Sequence, residues 1–242
     1  MILDTLQLQG GSVVLSGASA KLGFVTTVLT EGGALTLDNS TNVVSNRLGG
    51  TTSIMATTAD RTLSMRGGQL GFLGGSTAVT EAFNTVTNLE GMSIWSLTAG
   101  TAASTLNIAT LTASSTANRG GLYLDAGSGL LGGAAASSGR VNVIATPTGV
   151  VGNIRPDIIG IDSTGSGLVT SDANGFRLLT SADTALGYFA PGASNYLATA
   201  TPAFVTSAGG TVANATATSN AFLSSGTSLY GANTVNSLTL KS

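Results

Sequence analysis

Cysteine and histidine are both absent from this 242-residue chain. Without thiolate or imidazole, zinc, haem and iron–sulfur sites lose their usual ligands, and Cys–His or Ser–His–Asp catalysis is excluded. Stability has to come from packing and backbone pairing rather than from disulfides. Charge is scarce too: nine basic and eleven acidic residues make up 8% of the chain, net −2, where an ordinary domain carries about 25%. No basic patch exists to neutralise phosphates, so no nucleic-acid partner is expected. Gly, Ser and Thr interrupt every uncharged stretch, so no membrane span is expected either. Met1-Ile2-Leu3 runs at once into Asp4, without the basic and apolar segments of a signal peptide. The chain is expected to be an internal piece of something larger, or a mature form.

What fills the space is glycine (34), threonine (36) and serine (28). Branched Thr and Val suit a pleated surface, while Gly and Ser suit turns. Good helix formers such as Glu, Lys, Gln and Arg are nearly missing. The charges are also unevenly placed, with 57 uncharged residues between Asp183 and Lys241 and 28 between Glu90 and Arg119. So neutral a surface has little electrostatic protection against association. It is expected to be covered by neighbours or hydrated through hydroxyls.

Short alternating patterns recur along the chain, among them Leu6-Gln7-Leu8, Val13-Val14-Leu15, Ala34-Leu35-Thr36-Leu37, Leu63-Ser64-Met65, Ser93-Ile94-Trp95, Leu122-Tyr123-Leu124, Val141-Asn142-Val143-Ile144 and Ser237-Leu238-Thr239-Leu240. In each, the apolar residues share one face of a strand. A Gly-Gly phrase precedes three of the strands, at Gly10-Gly11, Gly32-Gly33 and Gly67-Gly68. No Gly-Lys-Ser/Thr follows any of them, so they read as corners and not as phosphate loops. These observations predict an all-β chain: a β-solenoid of the parallel β-helix type over residues 1–144, then a less regular, loop-rich portion over 145–242 that ends in a terminal strand. All four prolines fall in that second portion, and Asp172-Ala173-Asn174-Gly175-Phe176-Arg177 reads as an Asn-Gly hairpin.

Candidate chemistry is thin. The densest charged cluster is Arg155, Asp157, Asp162, Asp172 and Arg177, which could serve polysaccharide cleavage, and its Asp157, Asp162 and Asp172 could hold calcium. Turn aspartates and surface ion pairs explain it more simply. Trp95 and Tyr188-Phe189 could stack on sugars, although single aromatics in apolar strands are more often packing residues. Asn39-Ser40-Thr41 and Asn214-Ala215-Thr216 fit a glycosylation pattern, read here as chance in a Ser/Thr-rich chain. No catalytic, cofactor-binding or metal-binding residue is assigned.

Several phrases resemble a known family. Gly33-Ala34-Leu35-Thr36-Leu37-Asp38-Asn39, then Asn46-Arg47-Leu48-Gly49, look like the opening signature of the autotransporter-associated β-strand repeat. Thr62 to Gly74, Thr80-Glu81 with Leu97-Thr98-Ala99-Gly100, and Asn233 to Leu240 are similar to its later segments, in the same order. The resemblance implies tandem units in very large secreted or surface proteins of bacteria, with β-helical structure, adhesive or matrix roles and no catalytic residues. The expected function is therefore a structural unit of an extracellular fibre, sheath or giant cell-surface protein, not an enzyme and without a cofactor. Its expected partners are copies of itself, joined head to tail through strand edges. The alternative is a glycan-binding adhesin or tail-spike-like module that recognises surface glycans.

Overall fold

The computed structural model describes residues 5–22, 26–48, 61–112, 119–147 and 154–180, together with the strand segments 211–212, 220–223, 228–229 and 237–240. There is no helix among them, and none long and apolar enough to cross a membrane. The chain divides into two compact units, residues 1–149 with 157–178 and residues 150–156 with 179–242. The boundary expected at 144–145 falls within a strand, Arg140–Pro147.

In the first unit, consecutive strands alternate between two sheets. One sheet takes β1 (Thr5–Gln9), β3 (Thr27–Glu31), β5 (Thr62–Arg66), β7 (Val79–Glu90), β9 (Ser104–Thr112), β12 (Arg140–Pro147) and the short β11 (Leu130–Leu131), in that spatial order. Its strands pair in parallel. The other takes β2 (Ser12–Leu15), β4 (Ala34–Asp38), β6 (Gln69–Leu73), β8 (Met92–Thr98), β10 (Gly121–Asp125), β13 (Ile154–Asp162), β14 (Gly165–Asp172) and β15 (Gly175–Leu178). It is mixed, because β14 and β15 pair antiparallel.

The expected parallel β-helix is thereby corrected. The body is two separate sheets, seven strands parallel and eight mixed. Each parallel step crosses over through the opposite layer, as in an α/β protein, but a strand makes the crossing where a helix would. The regular body also runs on to Leu178, closed by a hairpin that reverses the chain. Strand alternation predicted the elements well, since each short pattern quoted above lies in a strand. It carried no information on how the sheet would be terminated.

Alternation fixes the core. In β4, Leu35 and Leu37 are fully buried while Ala34, Thr36 and Asp38 are half-buried. Parallel register then stacks like on like: Leu6, Val28, Leu63, Val86 and Leu111 form one column, and Val13, Leu35, Leu70, Trp95 and Leu124 form another. On the outer face of the seven-stranded sheet, Thr5, Thr27, Thr62, Thr85 and Thr110 lie side by side on five successive strands. A branched, uncharged side chain suits this repeat, because like charges in a column would repel at the strand spacing of about 4.8 Å. The column accounts for five of the threonines, all in uncharged outward positions.

The Gly-Gly phrases are corners between the sheets. Gly32 has φ +73, a left-handed conformation in which a side chain is strained. Gly33 lies so close to the preceding layer that a Cβ would stand 2.6 Å from the Leu8 carbonyl oxygen. One glycine turns the chain and the next lets the layers touch. The second unit's described strands are β16 (Thr211–Val212), β17 (Asn220–Leu223), β18 (Ser228–Leu229) and β19 (Ser237–Leu240). They too alternate: β16 pairs parallel with β18, and β17 parallel with β19.

Candidate functional site

The sequence-predicted residues do not converge. Asp162 is nearly buried at the end of β13, where one carboxylate oxygen accepts hydrogen bonds from the Thr164 amide (2.8 Å) and hydroxyl (2.6 Å) and the other from the Leu131 amide (3.2 Å). Asp172 accepts from the Asn174 amide (2.7 Å) and pairs with Arg177 Nε at 3.0 Å. Both are turn aspartates. The hairpin expected at Asp172–Arg177 is present, but Asp172 pairs with Gly175, so its two-residue turn is Ala173-Asn174 and not Asn174-Gly175. Arg155 is buried and Asp157 half-buried on β13. Among the described residues no group of three or more carboxylates could hold a metal ion.

Trp95 is fully buried, and its indole N–H donates to the Met65 sulfur at 3.1 Å. It is a core residue with no face for a sugar. Tyr188 and Phe189 lie outside the described residues. A groove of about 380 Å³ runs past Ser96, Thr98, Asp125, Ser128 and Gly139. Its single carboxylate, Asp125, accepts from the Gly127 amide at 2.9 Å.

The main polar cluster is one that the residue-by-residue reading missed. Arg47 is fully buried in the connection after β4. Its Nε donates to Asn39 Oδ1 (2.8 Å), its Nη1 to the carbonyls of Gly17 (2.9 Å) and Ala20 (3.1 Å), and its Nη2 to the carbonyl of Asn42. The Arg47 carbonyl in turn accepts from the Leu22 amide at 2.7 Å. One side chain thus ties the segment after β2 to the connection after β4. Beneath it, Glu81 of β7 is buried and accepts from the amides of Arg47 (2.7 Å) and Leu48 (3.5 Å). Burial raises the Glu81 pKa to about 7, with the two amides and the charges of Arg47 and Lys21 opposing. Burial likewise lowers the Arg47 pKa, against the pull of Glu81 and Asp38. Asn39 is fully buried within this cluster, its Oδ1 also taken by the Val44 amide at 3.0 Å. The cluster clamps the two connections together.

The two ends of the first unit differ. At one end, β15 leaves the plane of its sheet and lies over the other. A Cβ on Gly175 would meet the Val143 carbonyl oxygen of β12, and one on Gly132 the Phe176 carbonyl oxygen. Val169, Phe176 and Leu178 of the hairpin are buried there. Arg140 Nη1 reaches the carbonyls of Leu131 and Gly132, and Asn142 Nδ2 that of Ala134 at 2.9 Å.

At the other end, β1 and β2 are the outermost strands of their sheets. Leu6 and Val13 stay half-buried there, while their column neighbours Val28 and Leu35 are 1% and 0% exposed. Backbone directions follow from register. The Ala34 amide donates to the Gly11 carbonyl at 3.0 Å with Ser12 level with Ala34. Alternate residues of a parallel strand bond to opposite neighbours, so Val13 turns its backbone groups to β4. Ser12 and Val14 turn theirs to the open side. By the same alternation, the Gly10 amide on the Glu31 carbonyl (3.3 Å) leaves Gln7 facing outward in β1.

Comparison with protein-family models, curated proteins and solved structures returns no match. The reading of function therefore rests on the geometry, with the repeat-like phrases as support.

One signal in the sequence pointed to the clamp. Val79, Glu81 and Phe83 share the inward phase of a single alternating strand, and all three are buried. An acidic residue in the apolar phase has to find partners. The phrases Asp38-Asn39, Asn46-Arg47-Leu48 and Thr80-Glu81, which carried the family resemblance, are the ones that meet here.

Proposed function

We propose that this chain is a structural unit of an extracellular bacterial fibre, sheath or giant cell-surface protein, in which copies join head to tail through β-strand edges. The observation that carries this reading is the open end: two adjacent edge strands, β1 and β2, with outward backbone donors and a half-covered apolar column behind them. An unpaired edge is a template for another strand. Natural proteins that remain monomeric blunt such edges with lysine, proline or a covering loop. Here β2 reads Ser12-Val13-Val14-Leu15, and Val14 is 53% exposed. The far end of the same unit carries a hairpin cap, so the open end is a local feature and not a general looseness. Near-absence of charge fits a surface meant to meet its own kind. The likeness to repeats of large surface proteins supports an extracellular location. Among the described residues neither the groove nor the carboxylates favour an enzyme, and Trp95, one of the aromatics offered for glycan binding, is buried in the core.

Negative-stain imaging and sedimentation over a concentration series test the proposal. Filaments or a concentration-dependent ladder of oligomers are expected. A single monomeric species at every concentration would end it.

A further inference from the structure

We infer that the strand pair β18–β19 of one copy is the segment that seats on β1–β2 of the next. This rests on the head-to-tail reading above and names its two surfaces.

Three observations select that segment. First, the hairpin end of the first unit is unsuited to the task. Its outermost strand, β15, lies across β11 and β12 against the carbonyl of Val143, and runs antiparallel to β14. It continues neither sheet in parallel. Second, the second unit repeats the alternation of the first: β16 and β18 share one sheet, β17 and β19 the other. Among the described residues each of the four is paired on one side only, and chain order makes β18 and β19 the strands that a following layer would meet. In the first unit the first strand of each pair joins one sheet and the second strand the other. Stacking on the same rule gives the orders β16-β18-β1-β3 and β17-β19-β2-β4, parallel throughout and with chain polarity preserved.

Third, the sequence of β19 matches a strand already seen on β2. Its Ser237-Leu238-Thr239-Leu240 has the Leu-Thr-Leu phase and the length of Ala34-Leu35-Thr36-Leu37, which pairs with β2 residue for residue from Ser12↔Ala34 to Leu15↔Leu37. A strand of that pattern on the open side of β2 sets Leu238 beside Val13 and Leu240 beside Leu15. That register continues the column Val13, Leu35, Leu70, Trp95 and Leu124 by one leucine. The half-buried Val13 then gains the apolar neighbour it lacks.

The test uses the backbone directions. The Val14 N–H points to the open side and not to β4, so Val14→Pro removes a hydrogen-bond donor from the open edge without breaking the β2–β4 ladder. Proline is tolerated on an edge strand in this position. The variant should fold with unchanged urea unfolding and fail to grow chains alone, yet keep its β18–β19 segment and add to the open end of a wild-type copy. Each mixed chain then holds at most one variant, so an equimolar mixture should fall to a mean length of about two copies. Ser12→Pro, whose N–H also faces outward, serves as the second variant. Assembly of either folded variant at the wild-type level overturns the inference. So does a mixture in which wild-type polymers keep their length.

Because the chain has no cysteine, Val14→Cys with Thr239→Cys gives a second readout. Mild oxidation should convert oligomers of the double variant into a covalent ladder. Oligomers without cross-links would overturn this choice of segment while leaving head-to-tail assembly standing. A cross-linked monomer would show the segment folding back on its own β2, and would overturn it as well. Absence of oligomers in the wild type would sink the broader reading itself.

Discussion

The two ends of the first unit are built on different principles. The hairpin end is closed by apolar side chains, with Phe176, Val169 and Leu178 buried against the last strands. The opposite end leaves Leu6 and Val13 half-covered, and beside its strand ladders and the buried Leu8 and Leu15 it relies on Arg47, whose side chain holds the carbonyls of Gly17 and Ala20. Hydrophobic closure involves no titratable group and is largely indifferent to pH. A buried ion with a buried carboxylate beneath it is not. The difference is between an end covered by a hairpin and an end whose outermost strands keep one side unpaired.

The sharpest way to break this comparison is to truncate one apolar anchor at each end. Phe176→Ala should cost about 3–5 kcal/mol, the usual range for an enclosed phenylalanine. Leu6→Ala should cost only about 1–2 kcal/mol in the monomer, because half of its burial is missing. Urea unfolding measures both. Equal losses would show that the open end is as closed as the other. In assembled material the Leu6 penalty should rise toward that of a buried leucine.

Next in size is a pH effect confined to the clamp. The folded pKa of Glu81, about 7, lies above its ordinary value of 4.5, so the folded state binds the proton more tightly. Its stabilising contribution is complete below about pH 4.5 and is lost as pH rises through about 7, a change of about 3 kcal/mol by linkage. Glu81→Gln should flatten that slope. Unfolding midpoints of both proteins at pH 5 and pH 8 decide it; parallel losses would remove Glu81 as the cause. Asp38 works in the other direction. Its pKa is lowered, first by the Ser40 hydroxyl and then by the Ser40 amide, so its contribution is lost as pH falls below about 4.

The smallest predicted change concerns a corner. Gly32→Ala meets open space but an unfavourable φ of +73, and should cost about 1 kcal/mol. Gly33→Ala should cost more, because its Cβ would press on the Leu8 carbonyl of β1 and so on the open end itself. Thermal unfolding of the two variants orders them. A reversed order would deny that layer contact, and not conformation, is the tighter constraint.

Strand positions were legible because alternation is local: Leu35 and Leu37 inward, Thr36 outward, needs no more than three neighbouring residues. The corners were legible for the same reason. Layout was not. The hairpin at Asp172–Arg177 could be located from the sequence, though its turn lies one residue earlier than Asn174-Gly175, and its place as a cap depends on Gly175 meeting the carbonyl of Val143, a contact across 32 residues of chain. Arg47 and Glu81 are 34 residues apart, and spacing cannot bring such a pair together. Their inward phase could raise the suspicion; only the fold supplies the partner. Trp95 shows the converse, since its neighbours in an alternating strand already favoured packing over binding.

The column of threonines on the outer face has a consequence for how such a molecule can vary. Successive members are 22, 35, 23 and 25 residues apart, yet all five stay level. Most of what differs between steps falls in the connecting segments, where extra length costs only logarithmically, and the register shift between β5 and β7 lies beyond the threonine column, after Met65. The scaffold behaves as a ruler whose graduations ignore whatever is spliced between them, and those segments are where foreign sequence can be carried without disturbing the marks.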